Sequence, residues 1–441
     1  MSHTRTRSSA RSRMLAVCLA GATTLLAGCS GILDVENPNQ VLRDDLSNPV
    51  AANAVANGAL STVARSISST ILPMSVVGDE LKWVGSYDSG RELEQGHLSN
   101  ARNEFTMSAF PSLSQGRWMS DEAIRLLTIM DEEGTLPDRN DLARSYLYAG
   151  IAYTTIGDHF EDFVISDANQ PQPPIGQENM GTVYDRAIED FSNGLDIVAS
   201  TGNKELKAAL LANRARARHA QAVRQKVHSP GASPLVDNAE MVADANAFLA
   251  LSMEPDWKFR FAHSNLTISN TLGSWINERR EFRFGDDYIV PDASGKLVGS
   301  IKMKDPIDDI VDPALSGIID EFIVARQYGP LTITSSREMH LILAEAALAG
   351  GDDHTAASHL NDVRAMDGLT PYSGQMPAVT LLRHMRVVNL FMQGRRTLDM
   401  YRFGERSPLW LPTSEAYTSM SAQLPIADIE ARSNCYIVGT C

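Results

Sequence analysis

Three stretches of this chain share one design: a helical segment with small residues every few positions, a turn, and a second helical segment with alanine near its start. The first is Asn140 to Asp158 (NDLARSYLYAGIAYTTIGD), followed after a Pro/Gln/Gly-rich insertion at 166–180 by YDRAIEDFSNGLDIVAS. The second is Glu205 to Gln225, followed by Asn238 to Leu251 (NAEMVADANAFLAL). The third, residues 335–366, reads SSREMHLILAEAALAGGDDHTAASHLNDVRAM. Small residues at facing positions let two antiparallel helices approach closely, and stacked pairs bury a face that no single pair could bury alone. The chain is therefore expected to be mainly α, with tetratricopeptide-type pairs over about 140–252 and 335–366.

Other regions carry weaker signals. Asp44 to Ser68 places Val50, Ala54, Val55, Leu60, Val63 and Ile67 near a 3.6-residue period, which predicts one helix. The next stretch, ILPMSVVGDELKWVGSYDSGRELEQG, mixes turn formers with aromatics and reads as an irregular loop; helicity resumes around Gln115 to Asp131. Residues 253–333 break the rhythm again, with Trp257, Phe259, Phe261, Trp275, Phe282, Phe284, Tyr288 and Tyr328 among many Asp, Asn, Gly and Pro. A loop-rich insertion on a helical scaffold is where a ligand site is expected.

The N-terminus bears on location. Residues 1–13 carry four Arg and no acid, and residues 14–28 are apolar or small, too short a run to span a bilayer but right for a secretory signal. Leu26-Ala27-Gly28-Cys29 matches the bacterial lipobox, so cleavage before Cys29 and acylation of its thiol are expected. Several acyl chains, each methylene worth about 0.8 kcal/mol on burial, make an effectively permanent anchor. Ser30, rather than Asp, favours an outer-membrane address.

Composition excludes some functions. A net charge of -15 argues against nucleic acid as a partner, since phosphate binding needs a basic face. The basic run Arg214, Arg216, Arg218, Arg224 and Lys226 alternates with Ala and reads as a solvated helix face. Once Cys18 is lost with the signal and Cys29 is acylated, Cys435 and Cys441 remain, and an oxidising compartment would allow them to bridge. No Cys or His cluster has zinc-ligand spacing, and GxxxxGK[ST], GxSxG and HExxH are absent, so neither cofactor nor metal is expected.

Four elements together resemble the SusD/RagB family of outer-membrane nutrient-uptake lipoproteins. Cys29 followed by Leu33-Asp34-Val35 and Pro38 is close to that family's C-x-LDV-x-P opening. LILAEAALAGGDDHTAASHLNDVRAMDGL resembles its AEA helix, Gly-Asp turn and N-x-VR-A helix. HMRVVNLFMQGRRTLDMYRFG keeps Arg386, Leu390, Gly394, Arg396, Asp399, Arg402 and Gly404 of a typical ER-x-x-EL-x-x-EG-x-R-x-x-DL-x-R-x-G helix. Met385, Asn389 and Gln393 stand where Glu is common, so part of the family's local salt-bridge network is expected to be missing. Leu424-Pro425-Ile426 echoes the closing LPIP-x-x-E element.

The resemblance implies a signal peptide at 1–28, a lipidated tether at 29–43, and a SusD-like α-helical binding domain over 44–441 with its loop-rich insertion at about 253–333. It implies a non-enzymatic surface protein that captures oligosaccharide or peptide for a TonB-dependent SusC-type transporter. Sugar rings stack apolar C–H faces on aromatics while polar side chains meet their hydroxyls. Trp83, Tyr87 and Arg91 in the first loop and Trp257, Trp275 and Tyr288 in the insertion are the candidate ligand contacts. Two alternatives are a carboxylate-dependent glycoside hydrolase and a tetratricopeptide scaffold that binds proteins. Asp79-Glu80, Glu161-Asp162 and Asp286-Asp287 could supply acids for the hydrolase but read as solvated loop charges, and His159 reads as a turn residue.

Overall fold

The long helix α1 (Ala52–Val77) begins within the expected stretch but runs past Ser68, through Pro73, into the segment read as a loop. Every residue from Thr70 to Val77 is buried. A helix covered on all sides carries no polar face, so the amphipathic signal fades there although the helix continues. In this computed structural model, residues 45–167 and 170–441 are described. Cys29, the signal segment and the tether to residue 43 lie outside the described residues. The chain divides after Asn48, and Pro49–Cys441 forms one compact unit.

Beyond α1, the first loop contains a short strand β1 (Leu81–Trp83) and helix α2 (Asp88–Glu94). Helix α3 (Glu104–Glu132) starts earlier than its periodic stretch, spanning Pro111. The expected pairs follow: α4 (Arg139–His159) with α5 (Gly181–Thr201), then α6 (Lys204–His228) with α7 (Ala239–Leu249). After the insertion come α8 (Pro313–Ala325), α9 (Ser336–Ala349), α10 (Asp353–Met366), α11 (Ala378–Asn389) and α12 (Arg396–Phe403). Side-chain caps start several of these: Asp138, Asn203, Asn238, Ser335 and Asp352 each accept a hydrogen bond from a first-turn backbone N–H.

The helices stack in sequence order. Helix α3 packs on α1, α4 on α3, α5 on α4, α6 on α5 and α7 on α6; α9 then packs directly on α7, so residues 253–333 loop out of an otherwise continuous row. Small residues act as expected at the α4/α5 contact. A Cβ on Gly150 would lie 2.5 Å from the Phe191 ring, and one on Gly157 would lie 2.4 Å from the Tyr184 ring. The insertion is not shapeless. It holds α8 and β2 to β5, and three two-stranded antiparallel sheets result: β3 (Phe282–Phe284) pairs with β1 of the first loop, β2 (Lys258–Phe261) with β6 (Leu331–Ser335) at the insertion's end, and β4 (Ile289–Pro291) with β5 (Val298–Ile301). Among the described residues no helix is long and apolar enough to cross a membrane.

The basic run on α6 is not a solvated face. Arg216 and Arg224 are buried. Arg216 pairs with Asp158 of α4, and Arg224 donates to the carbonyls of Gly157 (2.7 Å) and Phe160 (3.2 Å). Arg214 and Arg218 pair with Asp244 of α7. The intervening alanines bring neighbouring helices close, and the arginines reach their acids across that short gap.

The expected gap in the α11–α12 network is filled from elsewhere. Glu345 of α9 is fully buried and meets Arg402, Arg386 at 3.6 Å and His219 at 3.0 Å. Asp399 binds Arg386 and Arg402, each at 2.8 Å, and Glu338 binds Arg395 at 2.9 Å. Asn389 accepts from Arg337 at 2.8 Å. Burial alone would raise the Glu345 pKa, but Arg402, His219 and Arg386 hold it well below the usual carboxylate range.

Asp79-Glu80 is not a solvated loop pair either. Glu80 is buried, accepting from Ser75 Oγ at 2.8 Å and from the Met392 backbone N–H at 2.7 Å, and burial pushes its pKa up to about 7. Between its ordinary value of 4.5 and about 7, the folded chain keeps a proton that the unfolded chain has released. That contribution is fully present below the lower value and is lost as pH rises through the window, a change of about 3 kcal/mol. Glu80→Gln, neutral at every pH, is expected to lose this decline. Denaturation midpoints of both proteins at the two ends of the window check it, and equal slopes would refute it.

His159 is likewise buried, ending α4, and burial lowers its pKa to about 4, so it is a neutral core residue. The closing element docks beside it. The Leu424 N–H donates to the His159 carbonyl at 2.9 Å, and Glu161 N–H donates back to the Leu424 carbonyl at 3.0 Å. Cys435 and Cys441 form a disulfide.

Candidate aromatic binding cleft

One cleft gathers aromatic side chains from the first loop, α3 and the insertion: Tyr87 is exposed, Trp275 partly so, and Phe105 buried beneath them. Its volume is about 230 Å3, and its walls include Tyr87, Phe105, Ser108, Thr271, Trp275 and Arg279. The Tyr87 and Trp275 rings form a T-shaped pair, 5.2 Å between centroids and near perpendicular at 84°. Phe105 supports Trp275 from below at 5.0 Å, and Phe282 of β3 backs Phe105 at 5.4 Å. The Arg279 guanidinium lies over the Trp275 ring, 4.4 Å from its centroid. The corner therefore offers the exposed Tyr87 ring next to a partly exposed Trp275 that carries a cation on one face.

Local chemistry fixes each wall. Tyr87 sits at the N-cap of α2 in an extended conformation, and Glu281 Oε2 accepts from the backbone N–H groups of Ser86 (2.6 Å) and Tyr87 (3.3 Å). Trp275 rides on a π-helical turn, Ser274–Glu278, that continues the helical turn Thr271–Gly273. Asn270 starts this unit by accepting from Leu272 N–H at 3.0 Å while donating to the Gly329 carbonyl at 2.9 Å. Gly273 is required for close approach, because a Cβ there would stand 2.1 Å from the Arg326 carbonyl oxygen. Ser69 of α1 ties the unit to the scaffold through Thr271 Oγ1 at 3.2 Å.

Of the six expected ligand contacts, the structure brings Tyr87 and Trp275 together in this cleft. Trp83 and Arg91 are not among its lining residues and meet each other instead, the guanidinium 6.0 Å from the Trp83 ring. Arg91 is also paired with Asp88 at 3.0 Å. The other two must be corrected. Tyr288 is 1% exposed and donates to Asp79 at 3.0 Å, and Trp257, 9% exposed, packs on Phe248 and donates to Glu205 at 3.0 Å. Both are core residues with their polar atoms satisfied, which leaves no ring face for a ligand. Sequence reasoning missed Phe105 and Arg279. The signal for Arg279 was its place four residues after Trp275, which puts both on one helical face.

A larger cleft of about 340 Å3 lies between β2, α8 and α9. Its charges are mutually satisfied: Arg260 with Glu321 at 2.8 Å, Lys258 with Asp256 at 2.8 Å, and Arg337 with Asp256 and Asp367. No aromatic ring lines it, so the aromatic corner is the better candidate for a ligand face.

No protein-family model matches the sequence, and no curated protein does. Solved structures do match the fold. A SusD superfamily protein from Bacteroides thetaiotaomicron VPI-5482 is 13% identical, covers 88% of this chain and 98% of its own, and superposes with a TM-score of 0.62. One from Bacteroides fragilis is 14% identical, covering 88% and 99%, with a TM-score of 0.60. The chain has a SusD-like fold. A SusD-like carbohydrate binding protein from Bacteroides vulgatus ATCC 8482 also aligns, at 13% identity, over 81% of this chain and 84% of that one, with a TM-score of 0.53. Within this SusD-like scaffold the stacked pairs form the frame, and the cleft is built where the insertion folds back against α1 and α3.

Proposed function

We propose that the chain is a cell-surface lipoprotein that captures an oligosaccharide at the Tyr87–Trp275 corner and passes it to a TonB-dependent SusC-type transporter. The observation that carries this reading is the partly exposed Tyr87–Trp275 corner with Arg279 stacked on Trp275, on a fold shared with a carbohydrate binding protein. Ring faces take the apolar side of a sugar while Arg279, Ser108 and Thr271 can meet its hydroxyls. Glu104 is the one carboxylate among the cleft's lining residues. A glycosidase needs two carboxylates about 5–9.5 Å apart, so the cleft favours binding over hydrolysis.

A glycan and peptide array probed with the full chain tests the ligand class. Trp275→Ala is expected to weaken the bound glycan by at least about 2 kcal/mol, roughly 30-fold, as loss of a central aromatic anchor does. Trp257→Phe should leave affinity unchanged. Equal binding by Trp275→Ala and the parent chain would remove the cleft from consideration, and capture of peptides alone would replace the sugar. Gentle detergent extraction should copurify a large β-barrel if the transporter role is right.

The anchor belongs to the same reading, through acylation of Cys29. Cys29→Ser is expected to move the protein from the membrane fraction to the soluble one, and its persistence in the membrane would count against the anchor.

A further inference from the structure

Away from the aromatic cleft, the third helix pair brings two histidines and an aspartate to one point. His340 stands on α9, while His359 and Asp362, three residues apart, share one face of α10. The Nδ1 atoms of His340 and His359 are 3.2 Å apart. Asp362 Oδ2 lies 3.3 Å from His340 Nδ1 and 3.7 Å from His359 Nδ1. A zinc ion held at about 2.0–2.1 Å in tetrahedral geometry separates neighbouring donors by about 3.3–3.5 Å. The three atoms form a triangle with sides of 3.2, 3.3 and 3.7 Å, within about 0.2 Å of that spacing.

Hydrogen bonding alone serves this triangle poorly. Two neutral imidazoles whose Nδ1 atoms face each other can place one proton between them, and a second proton there would clash with the first. Asp362, which only accepts, then competes for that same proton. A cation satisfies all three lone pairs at once.

We infer that His340, His359 and Asp362 form a binding site for a first-row divalent cation of the zinc class. Imidazole nitrogens suit zinc and its neighbours, whereas calcium and magnesium take oxygen shells. Asp362 is half exposed, and a cavity of about 400 Å3 lined by His340, Asp362, Ser252, Glu254 and Met366 opens beside the triangle. The remaining coordination position therefore faces solvent, open to water or an exogenous ligand. Bound there, the ion clips α9 to α10 across the turn of the last repeat pair. Local spacing in the sequence could not show this site, because the two histidines are 19 residues apart on different helices and meet only when the hairpin closes.

A second cluster, Asp305, Asp312 and His384, lacks free donors. Asp305 is engaged by Arg364 at 2.7 Å and by two backbone N–H groups. Asp312 caps α8 and accepts from His384 at 2.9 Å.

The test uses the untagged full-length chain in detergent, stripped with chelator and dialysed to equilibrium against zinc or magnesium, with metal content read by mass spectrometry. Zinc is expected to bind at one site per chain and magnesium to be ignored. His340→Gln and His359→Gln should each weaken zinc by more than about 100-fold, beyond the 10–100-fold that loss of an outer-shell partner costs. His384→Gln should bind as the parent does. Cobalt in place of zinc should give the intense visible absorption of a tetrahedral site, lost in the same two variants. Should either histidine variant fail to fold, Asp362→Asn, at a half-exposed position, carries the comparison. Absence of zinc from the folded parent, unchanged zinc in the variants, or loss of zinc in His384→Gln would overturn the assignment.

Discussion

Glu345→Gln is expected to cost the folded chain about 3–5 kcal/mol, the range seen when one partner of a buried ion pair is removed. Glu345 and Arg402 are both fully buried, and Glu345 also meets Arg386 and His219 and accepts from the Val236 backbone N–H at 3.1 Å. The amide keeps the volume but not the charge. Two guanidinium groups, Arg386 and Arg402, would then share the single, largely buried carboxylate of Asp399. Urea denaturation reads the loss as a lower midpoint with an unchanged slope. A double-mutant cycle with Arg402→Met should show strong coupling, since removing both charges leaves less to compensate than removing one. A loss under about 1 kcal/mol would mean that the network is not dry and that its burial is not what makes the pair matter.

Gly394→Leu is the second large effect. Gly394 has φ +78°, a left-handed conformation that costs a side chain about 1–2 kcal/mol. A Cβ there would stand 2.8 Å from His159 Nε2 and 3.2 Å from Ile71 Cγ1. Neither neighbour can give way, because His159 is buried at the end of α4 and Ile71 lies in the covered part of α1. Overpacking adds about 1–3 kcal/mol, so roughly 2–5 kcal/mol in total is expected. Gly394→Ala should fall between the parent and Leu. Thermal unfolding measures both, and an unchanged midpoint for Leu would show that the α11–α12 corner is loose.

Much of the frame was legible in advance. The repeated pattern located α4 to α7 and α9 to α10 to within a few residues, because a helix that buries one face writes its 3.6-residue period into the sequence. The same rule failed at α1, where Thr70 to Val77 is buried all round and Pro73 suggested a break. It also misread the α6 arginines. Charge alternating with alanine looks alike whether it faces water or the acids of a neighbouring helix, and only the packing of α6 between α4 and α7 distinguishes them.

The cleft was half legible. Tyr87 and Trp275 lie 188 positions apart in number, and nothing local says that they touch, whereas Tyr288 and Trp257 occur in equally loop-like sequence and are buried. Aromatic residues in irregular segments serve cores and sites alike, and exposure is a property of the assembled fold.

Local rules therefore determined the helical class, the pairing of neighbouring helices and the position of the insertion, since periodicity, small residues and caps act between residues close in sequence. Tertiary structure alone decided which acids neutralise the buried arginines, which rings meet at the cleft and which histidines face each other. Each of those depends on contacts between distant segments, whose geometry is set only once the whole row of helices has packed.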